Sequence, residues 1–157
     1  MTTQQPLISS LFKSVTGIAK KRSIPRIEKL STIDWYTANA NFHQPSNLIK
    51  SVYFFCDEFT NYQDSNIGIK AIQLLMALGY EVKLVDHAES GRAAISTGLL
   101  KMAKDKATQN VKIFSELICQ KHQLIGLEPS ALLTFRDEYP KIVEQELKSR
   151  ASDLAEN

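Results

Sequence analysis

Cysteine is scarce: the 157 residues contain two, Cys56 and Cys119. Both lie inside apolar segments, so a disulfide framework is excluded and an intracellular, cytoplasmic setting is the expectation. No cysteine pair or His/Cys cluster has zinc-site spacing. No apolar run is long enough to span a membrane. The net charge of +2 is too small to argue for a nucleic-acid partner. Ser90 stands in a Ser-Gly-Arg context, not a nucleophile elbow, and one nearby histidine makes no catalytic triad. What remains, with 43% hydrophobic and 23% charged residues, is the profile of a soluble globular domain with a substantial core.

Acid is missing from residues 1–27, which carry Lys13, Lys20, Lys21, Arg22 and Arg26. Leu7, Ile8, Leu11, Phe12, Val15 and Ile18 recur there at helical spacing. A basic amphipathic start fits a transit peptide or a membrane-surface helix; the favoured expectation is packing on the domain or on a larger parent protein. No continuous apolar stretch supports a secretory signal. Residues 1–50 read as an N-terminal extension punctuated by Pro25 and Pro45, with a short helix from Ser31 to Ala40. Trp35 and Phe42 are read there as packing anchors, and His43 and His122 as surface residues.

Residues 51–157 alternate in type. Ser51–Cys56, Tyr80–Val85 and Gln123–Leu127 read as buried parallel strands. Helices are expected over Ser65–Leu78, with Ile67, Ala71, Leu74, Leu75 and Leu78 inward, and over Ala93–Gln120. The second has the stripe Ile95, Leu99, Met102, Ala103, Ala107, Val111, Phe114 and Ile118. Gly79 is placed to stop the first. Further helices are expected over Ala131–Tyr139 and Ile142–Leu154, split at Pro140, and residues 144–157 are expected to fray. The rhythm predicts an α/β fold: a three-layer, mostly parallel sheet of Rossmann-like βα units, behind an N-terminal helical extension.

A parallel sheet gathers the turns after its strands at one edge. Those turns supply Asp57, Glu58, Asp86, His87, Glu89, Ser90, Arg92, Glu128 and Ser130. Glu58, His87 and Glu89 offer oxygen and nitrogen ligands to a divalent ion. The favoured alternative has the acids solvated or paired with Arg92 or Arg136. An anion site at the Gly91-Arg92 helix start is opposed by Glu89 and Glu128.

The wording of these turns carries a resemblance. Asp57-Glu-Phe-Thr-Asn-Tyr62, then Glu89-Ser-Gly-Arg92 followed by Ile95-Ser-Thr-Gly-Leu-Leu100, and Glu128-Pro-Ser-Ala131 occur in order. They resemble the cysteine-rich (CCG) domain of iron–sulfur oxidoreductases over roughly residues 50–145. Gly17–Pro25 is similar to the segment before that domain in FAD-linked dehydrogenases of the D-lactate and glycolate type. The resemblance places Glu58, Glu89, Ser90 and Ala131 where the family has cluster-ligating cysteines. Gly91, Arg92, Glu128, Pro129 and Ser130 would line the same edge. It implies a domain packed on flavin and ferredoxin-like domains of the same or a partner chain, through the N-terminal stripe and Trp35. FAD and iron–sulfur clusters would lie elsewhere in the parent protein, because this chain has no Cys-x-x-Cys-x-x-Cys run and no Gly-rich flavin segment. A peripheral place at the inner membrane face is compatible with that role. The expectation is a structural or electron-path-shaping domain that is not itself catalytic and binds no cluster. Its alternatives are a metal-binding redox domain with non-cysteine ligands and a stand-alone binding module.

Overall fold

Lys50–Phe55 forms the central strand, β1, of a three-stranded sheet in a computed structural model that describes residues 6–19, 21–23, 27–39 and 47–156. Its neighbours are β2, Tyr80–Lys83, and β3, Leu124–Gly126, in the order β2-β1-β3. Both pairings are parallel. Lys50 to Tyr53 lie beside Tyr80 to Lys83, and Tyr53 to Phe55 beside Leu124 to Gly126. All three strands therefore end at one edge, as the expected βα rhythm requires.

The alternation of β1 divides the core, because successive strand residues point to opposite faces. Val52 and Phe54 join Cys56, Ile72 and Val82 in one buried cluster. Phe55 joins Phe114, Phe135, Tyr139 and the small residues Ala107, Ala131 and Ala151 in the other. In that second cluster Phe55, Phe114 and Phe135 meet edge to face at 5.0–5.9 Å between ring centres, a favoured aromatic geometry.

After β1 come a short helix, α3 (Glu58–Tyr62), and the crossover helix α4 (Ser65–Ala77). Gly79 follows α4 with φ 93°, and its amide bonds back to the Met76 carbonyl, so it ends the helix as expected. The inward face of α4 differs from the expected one. Gly68 and Ile72 are buried, Ala71 and Leu75 are half-buried, and Ile67, Leu74 and Leu78 are exposed. The cause is the close approach of helix α2 (Thr32–Ala38). A Cβ on Gly68 would lie 2.6 Å from the Thr32 hydroxyl oxygen, so only glycine admits this contact. Thr32 in turn donates to the Thr60 carbonyl at 2.7 Å. Helix α2 is capped by Ser31, whose hydroxyl accepts from the Asp34 amide at 3.0 Å. Trp35 is half-buried against the cluster containing Phe54.

The long helix expected from Ala93 is two: α5 (Arg92–Ser96) and α6 (Leu100–Leu117). Gly98, with φ 78°, interrupts them. The break turns Leu99 and Met102 to solvent, while Ala103, Ala107, Val111 and Phe114 stay buried. The C-terminal segment also differs. It folds as α7 (Pro129–Leu132), α8 (Thr134–Asp137), α9 (Tyr139–Ile142), a 3-10 turn (Gln145–Leu147) and α10 (Lys148–Ala155). Pro140 sits in the first turn of α9, where a missing N–H costs nothing. The expected fraying from residue 144 is not found. Leu147, Ala151 and Leu154, spaced as one helical stripe, are buried in the Phe55 cluster.

Helix α1 (Pro6–Thr16) forms as expected, but of its stripe only Ile18, just beyond it, is half-buried, and the Leu7 side chain lies outside the described residues. Ile8, Leu11, Phe12 and Val15 are all exposed, Val15 at 79%. The readings placed on Lys20, Pro25, Arg26, Ala40, Phe42, His43 and Pro45 fall outside the described residues.

Candidate functional site

The turn after β1 begins with Asp57, which is 1% exposed. Its carboxylate accepts the amides of Phe59 and Thr60 at 2.9 and 3.1 Å and the Thr60 hydroxyl at 2.6 Å. Those are the otherwise unpaired donors of the α3 start, so Asp57 is an N-cap.

Glu58, the next residue, reaches across to the turn after β2. One oxygen accepts the Ser90 amide at 2.9 Å and the other accepts the Ser90 hydroxyl at 2.7 Å. The Ser90 hydroxyl oxygen also accepts the Arg92 amide at 3.1 Å. Gly91 between them has φ 73°, the left-handed region that favours glycine. At the Gly91-Arg92 helix start where an external anion was considered, the Arg92 amide is thus taken by the Ser90 hydroxyl and the amide before Gly91 by Glu58.

Two residues not singled out from the sequence hold this turn in place. Asn110 on α6 is fully buried. Its carbonyl accepts the Ala88 amide at 3.0 Å, and its amide donates to the Glu89 carbonyl at 3.1 Å and to the Tyr139 hydroxyl oxygen at 3.0 Å. Tyr139 donates its own proton to the Ser90 carbonyl at 2.8 Å. Burial pushes the Tyr139 phenol up to about 12, so it remains a donor at neutral pH. The signal for Asn110 was present: a polar residue one turn before Phe114 and beside Val111, on the inward face of a helix.

The remaining predicted residues scatter. Glu89 points outward to an ion pair with Lys106. Arg92 pairs with Glu138 at 2.7 Å and Arg136 with its neighbour Asp137 at 2.9 Å. Neither Glu58 nor Glu89 therefore pairs with Arg92 or Arg136; of the solvated-or-paired expectation, Glu89 meets the solvated half. Asp86 is exposed. His87 lies against Phe55 and Phe114, ring centres 4.5 and 5.5 Å away, and its Nδ1 donates to the Ala88 carbonyl at 2.7 Å. Burial lowers the His87 pKa from its ordinary value. Glu58, His87 and Glu89 do not assemble as an ion site, and no group of three or more such ligands forms among the described residues.

In the third turn, Pro129 opens α7 and the Glu128 carboxylate accepts the Ser130 amide at 3.1 Å and hydroxyl at 2.6 Å. Ser130 is exposed. Ala131 is fully buried and belongs to the apolar Phe55 cluster; the Thr134 hydroxyl donates to its carbonyl. The four positions thus hold one carboxylate already bonded internally, one outward acid, one buried serine and one methyl group. Iron–sulfur clusters require thiolates, so these residues do not fit one.

A separate cavity of about 250 Å3 opens at the ends of β1 and β2, lined chiefly by Tyr36, Cys56, Leu84, Asp86 and His87. Burial pushes the Cys56 thiol up to about 12, with Asp57 adding to the effect, so it is no thiolate.

A small parallel α/β domain with its polar turns at the strand ends is the class these features define. Proteins similar to it are dehydrogenases. The chain is 23% identical over 142 residues to D-2-hydroxyglutarate dehydrogenase of Escherichia coli, covering 86% of this chain and 14% of that protein. It is 26% identical over 138 residues to one of the subunits of anaerobic glycerol-3-phosphate dehydrogenase of Escherichia coli, covering 87% of this chain and 34% of that protein. A D-2-hydroxyglutarate dehydrogenase of Haemophilus influenzae is 24% identical over 146 residues, 91% of this chain and 13% of its own length. The chain thus corresponds to a segment at most about a third as long as these relatives. No protein-family model matches it, and no solved structure matches it.

Proposed function

We propose that this chain acts as the C-terminal-type domain of an FAD-linked dehydrogenase of the iron–sulfur oxidoreductase family. The parent reaction would oxidise a D-lactate- or glycolate-type 2-hydroxy acid, and this domain would shape the electron path without holding a cluster. The reading takes the fold as the three-layer Rossmann-like arrangement of the CCG domain. The observation that carries it is the Glu58–Ser90 bridge, with bonds of 2.9 and 2.7 Å. It joins two positions where the resembled family has cysteines and satisfies a turn amide that would otherwise lack a partner. Relatives that are dehydrogenases or parts of them, matched over most of this chain, support the oxidoreductase setting. The exposed Ile67 and Leu74 of α4, with Leu78 just after it, supply an apolar face for a neighbouring flavin or ferredoxin-like domain.

Two measurements test this. Anaerobic reconstitution with iron and sulfide should leave the native chain colourless. A variant carrying Glu58→Cys, Glu89→Cys, Ser90→Cys and Ala131→Cys should gain charge-transfer absorption; stoichiometric iron and sulfide on the native chain would sink the reading. A flavin-containing dehydrogenase chain from the same genome should then need this chain for dye-linked oxidation of a 2-hydroxy acid.

The cavity beside His87 favours a second reading, a small-molecule binding module. A calorimetric titration with short carboxylic acids and metal salts that gives heat, lost in His87→Phe, would select it.

A further inference from the structure

We propose that helix α1 and the basic residues after it dock this chain on an anionic lipid surface. The inference is independent of which face meets a dehydrogenase partner.

Helix α1 has the form of an interfacial helix. Ile8, Leu11, Phe12 and Val15 follow one another at helical spacing, and all are exposed. Its other positions are largely small and polar: Ser9, Ser10, Ser14 and Thr16, with Lys13 in the last turn. A helix of this kind lies in the headgroup plane with its apolar side chains in the acyl boundary. None of the helices is long and apolar enough to cross a bilayer among the described residues, so the contact is peripheral.

Charge selects the occupant. Residues 1–27 hold five cations and no acid, whereas the whole chain has a net charge of only +2. The remainder is therefore net acidic and is repelled by anionic headgroups. The chain's excess of cations lies within and just beyond the apolar helix, at Lys13, Lys20, Lys21, Arg22 and Arg26. Basic residues next to an amphipathic helix add to membrane affinity through the negative surface potential. A groove on a protein partner would favour aromatic or arginine anchors and charges of both signs. This helix offers one phenylalanine, aliphatics, serines and a following run of one sign.

The test is flotation of the full chain with vesicles of phosphatidylcholine, with and without phosphatidylglycerol. The chain should rise with the mixed vesicles, bind the neutral ones about tenfold less, and be released by high salt. Leu11→Asp with Val15→Asp should abolish flotation, and Lys20→Gln with Lys21→Gln and Arg22→Gln should erase the preference for phosphatidylglycerol. Both variants should keep the native thermal transition, because the exposed apolar residues of α1 contribute little to the core. Equal flotation by the Asp variant, no flotation of the native chain, or capture of α1 by a dehydrogenase partner without vesicle binding would each overturn the proposal.

Discussion

The turn after β2 and the turn after β3 stand at the same edge of the sheet and are built differently. The first is tied to three other elements: Glu58 from α3, Asn110 from α6 and Tyr139 from α9 all bond its backbone or its serine. The second is closed on itself by the Glu128–Ser130 bonds, and its Ala131 is committed to the apolar core. A turn at this edge can therefore stay ordered in two ways. It can acquire a polar bridge, or it can be absorbed into the core.

The largest expected effect comes from cutting the polar framework at its centre. Asn110→Ala leaves the Ala88 amide, the Glu89 carbonyl and the Tyr139 hydroxyl short of a partner and should cost about 2 to 4 kcal/mol in urea denaturation. An unchanged midpoint would mean that the turn after β2 needs no such support. Ala131→Leu should follow, at about 1 to 3 kcal/mol, because added methylenes in a filled core force strain. If the larger side chain is accommodated freely, the third turn is not absorbed as described. Glu58→Gln keeps the size of the side chain but turns one of its two acceptor oxygens into an NH2 donor and removes the charge from the bond that remains, for a loss of about 1 to 2 kcal/mol in the same measurement.

A gentler effect separates the two turns by pH. Burial holds the His87 pKa below its ordinary value of 6.5. The unfolded chain then takes up the proton first, so stability should fall as pH drops from neutral through 6.5 toward the lower folded value. His87→Gln should flatten that slope in thermal melts recorded across the range. The smallest effect is expected at Ser130→Ala, within about 0.5 kcal/mol, since its bonds are local and exposed.

Much of the sheet and half of the helix faces were legible in the residues. The apolar runs around β1, β2 and β3 located every strand end within two residues. The alternation of strand and helix fitted a parallel sheet, because parallel neighbours need a crossover between them. The stripe through Ala103, Ala107, Val111 and Phe114 is buried as its spacing implied. The face of α4 was misread because counting apolar residues cannot register Gly68, whose value is the absence of a side chain against Thr32. The long helix was misread at Gly98, where one left-handed residue outweighs a continuing stripe. Leu147, Ala151 and Leu154 were overlooked because polar neighbours masked a sound helical spacing.

For the site, the order of residues was enough to say which side chains reach the strand ends. It was also enough to say what chemistry they lack: Glu58, Glu89, Ser90 and Ala131 carry no thiol, so these turns offer no soft ligand set. What those residues do instead was settled by the folded chain. Glu58 and Ser90 are 32 positions apart, and their bridge exists because parallel pairing of β1 with β2 brings two turns to one edge. Glu89, one residue earlier, faces away to Lys106. Side-chain direction in a turn follows from backbone dihedrals, here set by Gly91 and by the anchors Asn110 and Tyr139, and a residue string does not carry that direction.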